Sequence, residues 1–228
     1  MQKRKLQIIA AVILFLGLGQ TAVAQTAVPV EKEPRHRLKF ENQYVRLFDV
    51  LILTGDTSLY HIHSHDGVSI RLSDSTILDE VLNGEKVIFM LKKGEVTFAA
   101  RPIAMTHRVI NNGPSDFRNI FIEILPAAFA QPVVNSPPLL GQRLLIDNDR
   151  VRAYRVVLEP GQSTQNTHNL NGISVVVSDS TIQTTVSGKK PKASKLRSGE
   201  YMWHDAGTTH MIKNIGSTLF EMVNFDLK

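Results

Sequence analysis

The chain repeats itself. Val45-Arg46 opens a strand-like run that ends at Thr54-Gly55, and Val151-Arg152 opens a second that ends at Pro160-Gly161. Gly67-Val68-Ser69 through Ser73-Asp74-Ser75-Thr76-Ile77 returns as Gly172-Ile173-Ser174 through Ser178-Asp179-Ser180-Thr181-Ile182. Gly94-Glu95 returns as Gly199-Glu200, and His107, Asn111, Gly113 and Phe117 return as His210, Asn214, Gly216 and Phe220. Matches that keep their order with only small shifts denote a duplicated domain.

Each copy reads as β. Short runs of Val, Ile, Leu, Phe and Thr alternate with Gly, Asn, Asp and Ser punctuation, and no sustained 3.6-residue apolar period appears. Asn83-Gly84, between Thr76–Leu82 and Val87–Leu91, predicts a type I′ hairpin turn. Many short strands with close turns predict an all-β chain of two tandem barrels or sandwiches. The expected organisation is an extended arm over 25–35, a first barrel over 36–125, a Pro-rich linker or crossover strand over 126–139 and a second barrel over 140–228. Phe89, Phe98, Met105, Phe117 and Phe121 read as core, and so does Trp203, with its neighbour His204 a pocket-lining candidate.

Residues 1–24 read as a signal peptide. Lys3, Arg4 and Lys5 form a positive start, Leu6 to Leu18 is apolar, and Ala22-Val23-Ala24 supplies a small-x-small cleavage pattern before Gln25. The apolar run is shorter than the ~20 residues of a spanning helix, so a periplasmic or secreted protein is expected, with no membrane association after cleavage. Three of the 26 basic residues lie in this segment, so the net charge falls from +5 to +2 without it. A near-neutral surface gives no support for nucleic-acid binding. The chain has no cysteine, which excludes disulfides and thiolate chemistry alike.

The chemistry lies in the histidines. Gly55 is followed after five residues by His61-Ile62-His63, and alternation along a strand points both imidazoles the same way. A later stretch, Gly94, then Pro102, Ala104, His107 and Asn111, offers a third imidazole. If they share the barrel interior, the three compose an open nitrogen site suited to Zn, Fe, Cu or Ni.

These two stretches resemble the signature motifs of the cupin superfamily: Gly-x5-His-x-His with a glutamate shortly after, then Gly, Pro-x-Gly-x-x-His-x-x-x-Asn. With both halves covered, the chain resembles a bicupin, which implies two jelly-roll barrels, each with its site inside. The resemblance puts His61, His63 and His107 in the metal-ligand places and Pro102 and Asn111 in structural places, with Ala104 where the family usually has Gly. The family's glutamate would fall near Val68, where no Glu stands; Asp66 is the local carboxylate and an alternative ligand. His65 continues the alternation, either replacing His61 in the pair or standing behind the ligands.

In the second copy Asn166-Thr167-His168 stands where His-x-His would be, and His210 keeps the later motif. The three make a weak second site or, more plainly, a barrel turned structural. Arg71 is placed to hold a carboxylate if its face is interior, and is a surface arginine if it is not. The resulting expectation is an exported bicupin with one divalent transition metal and a small-molecule ligand. It is either a metal-dependent enzyme of dioxygenase, isomerase or lyase type acting on a small oxygenated molecule, or a non-catalytic binding module. Metal capture outside the cytoplasm favours Zn or Cu over Fe, Mn or Ni.

Overall fold

The computed structural model describes residues 26–130 and 142–228; the expected signal segment and most of the expected linker lie outside them. The first copy contains β1 (Val28–Pro29), β2 (His36–Glu41), β3 (Val45–Ile52), β4 (His61–His63) and β5 (Gly67–Arg71). It continues with β6 (Ser75–Val81), β7 (Lys86–Leu91), β8 (Val96–Ala99), β9 (Met105–Ile110) and β10 (Phe117–Ile124). The second contains β11 (Gln142–Asp147), β12 (Val151–Leu158), β13 (Ser163–His168), β14 (Gly172–Val176) and β15 (Ser180–Thr185). β16 (Lys192–Leu196), β17 (Tyr201–His204), β18 (Thr208–Asn214) and β19 (Phe220–Leu227) complete it.

Each copy folds as two facing sheets. The first has the orders β1-β4-β9-β6-β7 and β2-β3-β10-β5-β8; the second has β11-β12-β19-β14-β17 and β13-β18-β15-β16. From β2 and β11 onward the copies correspond strand for strand, as a duplication requires. The two halves are jelly-roll barrels in tandem, and the sheets that pack together between them are β2-β3-β10-β5-β8 of the first and β11-β12-β19-β14-β17 of the second.

That packing explains why β3 and β10 are apolar on both faces. Phe48, Val50, Ile52, Phe117 and Phe121 fill the first barrel, whereas Val45, Leu47, Ile120, Ile122 and Ile124 point out of it. The outward row joins Val151, Ala153, Ile173, Val175, Val223 and Phe225 in one core shared between the barrels. The second barrel encloses Val156, Leu158, Val176, Ile182, Ile212, Phe220 and Met222. At the edge of the seam Trp203 stacks on Tyr44 at 5.7 Å and on Phe40 at 5.9 Å, and Arg150 pairs with Asp66 at 2.7 Å.

Both copies use one asparagine to lock a loop. The Asn111 amide donates to the carbonyls of Ile52 and Ser115 and accepts from the Gly113 N–H; Asn214 does the same with Leu158, Thr218 and Gly216.

Four local expectations change. The segment before residue 36 is built into the barrel: β1 pairs in parallel with β4, Val30–Lys32 forms a 3-10 turn, and Val30 and Glu33 are buried. Pro126–Ala130 is also a 3-10 turn rather than extended chain, because Ala128 is small enough to enter the shared core. The hairpin turn lies one residue early. Asn83 is left-handed at φ 57° and Gly84 donates to the Val81 carbonyl, so Leu82-Asn83 are the central residues and the turn is not type I′. Phe89 is exposed rather than core, since β7 is an edge strand and nothing among the described residues covers it.

Candidate metal centre

β4 and β9 are neighbours, and their register sets His61 directly opposite His107. His63 follows on the same face, and all three side chains are buried inside the first barrel. Ring centres lie 4.5 Å apart for His61 and His107, 4.9 Å for His61 and His63, and 5.0 Å for His63 and His107. Alternation along a three-residue strand thus becomes convergence of three imidazoles.

A fourth imidazole comes from the start of β2. The His36 ring centre stands 4.4 Å from that of His61, and the donors of His36, His61 and His63 lie within 4.8 Å of one another. Nothing in the local sequence marks His36. Its one signal is the repeat: His36 faces Val50 as Gln142 faces Val156, so both copies put a polar side chain at this point.

The outward-facing nitrogens fix the rings. Nδ1 of His61 sits 2.9 Å from the Leu59 carbonyl, Nδ1 of His107 2.7 Å from Asp79 and Nδ1 of His36 2.8 Å from Glu33. A carbonyl or carboxylate oxygen can only accept, so each Nδ1 carries a proton, and in a neutral ring so held the lone pair is on Nε2. Glu33 is itself held by the N–H groups of Arg35, His36 and Leu59. Burial opposes its charge, but His36 and these donors hold it below the usual carboxylate range.

The inward nitrogens are the informative ones. Nε2 of His61, Nδ1 of His63 and Nε2 of His107 are buried without a hydrogen-bond partner. An unsatisfied buried polar atom costs about 1–3 kcal/mol, and three in one cluster is a large cost unless something binds them. Burial, reinforced by the neighbouring histidines, lowers His61 to about 2 and His63 well below the usual imidazole range. These rings are neutral at physiological pH, the state a metal requires. The donor set fits a divalent transition ion.

Beside the histidines lies a cavity of about 140 Å³, lined by His36, His63, His107, Asp79, Arg71 and Arg101 among others. Arg71 is interior. Its guanidinium donates to Asn119 at 2.8 Å and reaches Thr97 at 3.4 Å, and among the described residues no carboxylate is within ion-pair distance. Asp66 is not among the converging groups. It accepts from the Arg101 N–H and pairs with Arg150, because the chain turns out of the barrel after His63. His65 lies beyond that turn, half-buried, with Arg46, Asp66 and Glu31 as its charged neighbours, and does not join the cluster.

In the second barrel the equivalent place is filled by amides. Asn166 accepts from Gln142 at 2.7 Å and lies 3.5 Å from Asn224, which accepts from Ser174. Where His36 meets His61 in one copy, Gln142 meets Asn166 in the other. Thr184 replaces Asp79, and Val176 with Met222 replaces Arg71 with Asn119. His168 and His210 remain, with ring centres 5.2 Å apart, but Asn166 has spent its carbonyl on Gln142 and does not complete a ligand set with them.

No family model matches the chain, and neither does any curated protein. Solved structures do. Oxalate decarboxylase from Bacillus subtilis aligns with TM-score 0.58 at 9% identity, over 81% of this chain and 68% of its own. A salicylate 1,2-dioxygenase mutant from Pseudoaminobacter salicylatoxidans, in complex with gentisate, aligns with TM-score 0.55 at 11% identity, over 81% and 69%. A Cupin 2 conserved barrel domain protein from Leptotrichia buccalis aligns with TM-score 0.50 at 10% identity, over 84% and 87%. At these identities the likeness speaks to fold, and the fold is that of two tandem cupin-like jelly-roll barrels.

Proposed function

We propose that the first barrel binds one divalent transition metal through His61, His63 and His107, with His36 as a fourth imidazole, and acts on a small carboxylate-bearing molecule. The observation that carries this is the set of three buried, partnerless ring nitrogens, two of them on rings whose other nitrogen is anchored by an oxygen acceptor. The bound metal would polarise a substrate oxygen as a Lewis acid. Arg71 supplies the counter-charge: a half-buried arginine that faces the cavity, with no carboxylate among the described residues within ion-pair distance, is suited to a substrate's carboxylate. Asp79 keeps the His107 proton on Nδ1, and Phe117 and Phe121 exclude water from the cavity wall. Two of the fold neighbours are named for salicylate and oxalate, both carboxylates, which supports the same class here.

The binding-module reading has one observation in its favour: the cavity's carboxylate, Asp79, is committed to His107 and is not a free general base. Turnover assays on the metal-loaded protein against small mono- and dicarboxylates separate the two readings. The protein is read as exported, periplasmic or secreted, on the strength of residues 1–24, and the metal as Zn or Cu on intrinsic affinities outside the cytoplasm.

The test is metal analysis of protein recovered from its own compartment. His63→Ala should lose one equivalent of metal relative to wild type, as should His61→Ala and His107→Ala. Full stoichiometry in all three would remove the assignment, and mainly Mn or Fe in the wild type would overturn the choice of metal.

A further inference from the structure

We infer that the second barrel carries its own divalent-metal site, built from His168, the counterpart of His63, together with His204 and Asp226 at positions where the first site has no ligand. The donors of these three side chains lie within 4.8 Å of one another. His168 ends β13, His204 ends β17 and Asp226 is next to last in β19, so three strands deliver one donor each to one end of the barrel. Oδ1 of Asp226 is 4.0 Å from Nδ1 of His168 and 3.9 Å from Nε2 of His204. The two imidazoles stack with ring centres 3.5 Å apart. Metal–donor bonds of about 2.0–2.2 Å put adjacent donors roughly 3–3.5 Å apart, so the set meets one ion once one imidazole turns out of the stack to aim its in-plane lone pair at it.

Two further observations point to a ligand. Oδ1 of Asp226 and, on His168, a residue 2% exposed, Nε2 rather than the Nδ1 that lies 4.0 Å from that oxygen, are buried without a hydrogen-bond partner. A carboxylate oxygen left so is among the costlier groups to bury. The sheet also makes room for the arrangement: Gly172 pairs with both His204 and Asp226, and a Cβ there would collide with the His204 ring and the Phe225 carbonyl. His168 and His204 face a cavity of about 280 Å³ with His210 on its wall.

The site is not a copy of the first. By strand register His204 stands where the first barrel has Ala99, and Asp226 where it has Glu123. The second copy has an amide in place of the His61 imidazole, keeps His168 at the His63 position, and adds His204 and Asp226 toward the barrel end. Two imidazoles and one carboxylate leave coordination positions open and suit a first-row divalent ion such as Zn(II).

The experiment is Zn(II) stoichiometry on the full chain, with circular dichroism and thermal melting as folding controls. A His61→Ala/His107→Ala double variant disables the first barrel and should still bind one equivalent. Adding Asp226→Asn or, separately, His204→Gln to it should abolish that binding. His210→Ala should leave it intact. No binding by the folded double variant, or binding that survives both additions, or loss on His210→Ala alone, overturns the site. Wild type that loses its one equivalent on Asp226→Asn but not on His63→Ala would sustain it while removing the first-barrel reading.

Discussion

Asp79 shows how much of the proposed metal site lies behind its candidate ligands. Its bond to Nδ1 of His107 fixes that ring's direction. Removing such a partner typically costs 10–100-fold in metal affinity. Asp79→Ala should therefore weaken Zn(II) binding at the first barrel by that factor in a competition titration, with Asp79→Asn falling short of it because an acceptor oxygen survives. An unchanged affinity in Asp79→Ala would mean that His107 is not a ligand. Glu123 makes a different prediction. Burial pushes its carboxyl from 4.5 up to about 7, against the pull of Arg46 at 3.0 Å. The folded state then holds the proton more tightly than the unfolded chain, so folded-state stability falls as pH rises from about 4.5 to about 7 and stays lower above that. The loss is at most about 3 kcal/mol. Denaturant titrations of Glu123→Gln should lack this decline, and parallel pH profiles for the two proteins would refute it. At this scale strand alternation and motif spacing made legible the convergence of three rings, those of His61, His63 and His107. They did not disclose His36, Asp79, Glu33 or Arg101, because each reaches the site from another strand or turn, and only pairing register brings them there.

Strands report their burial in composition, and two kinds of position show where that reading stops. β3 and β10 carry apolar residues in both phases, which marks them as buried on both faces before any partner is known. β7 is equally apolar, yet Ile88 is 70% and Met90 81% exposed, since an edge strand and a central one can share a composition. Gly67 and Gly172, matched across the repeat, are glycines for close approach rather than for unusual φ. A Cβ on Gly67 would lie 2.5 Å from the Phe121 ring, which itself meets His63 edge-on at 4.7 Å; at Gly172 the obstacle includes the Phe225 backbone. A side-chain ring yields more readily than a strand. Gly67→Ala should fold with about 1–3 kcal/mol less stability and weaker first-barrel metal binding through the displaced Phe121. Gly172→Ala should lose more stability than Gly67→Ala in the same denaturant titration, and the reverse order would contradict the close approach.

The barrels are bound into one folding unit by the core they share. Val45, Leu47, Ile120, Ile122 and Ile124 project from the first barrel into Val151, Ala153, Ile173, Val175 and Phe225 of the second, and separation would bare a contiguous apolar face on each. Such a face on a lone barrel is an aggregation surface, so the halves should lose structure together. Trp203 offers the probe. It belongs to the second barrel but stacks on Tyr44 and Phe40 of the first, so its fluorescence reports the seam while far-ultraviolet circular dichroism reports both sheets. In denaturant the two signals should trace one coincident transition. Ile122 is 1% exposed in that core, and Ile122→Ala should shift the whole transition by about 2–5 kcal/mol rather than split it. Zn(II) bound only in the first barrel should move the fluorescence transition too, by about 2.7 kcal/mol at a hundredfold excess over Kd. A fluorescence change that precedes the circular dichroism change, or a metal shift confined to half of the amplitude, would show two barrels that merely touch.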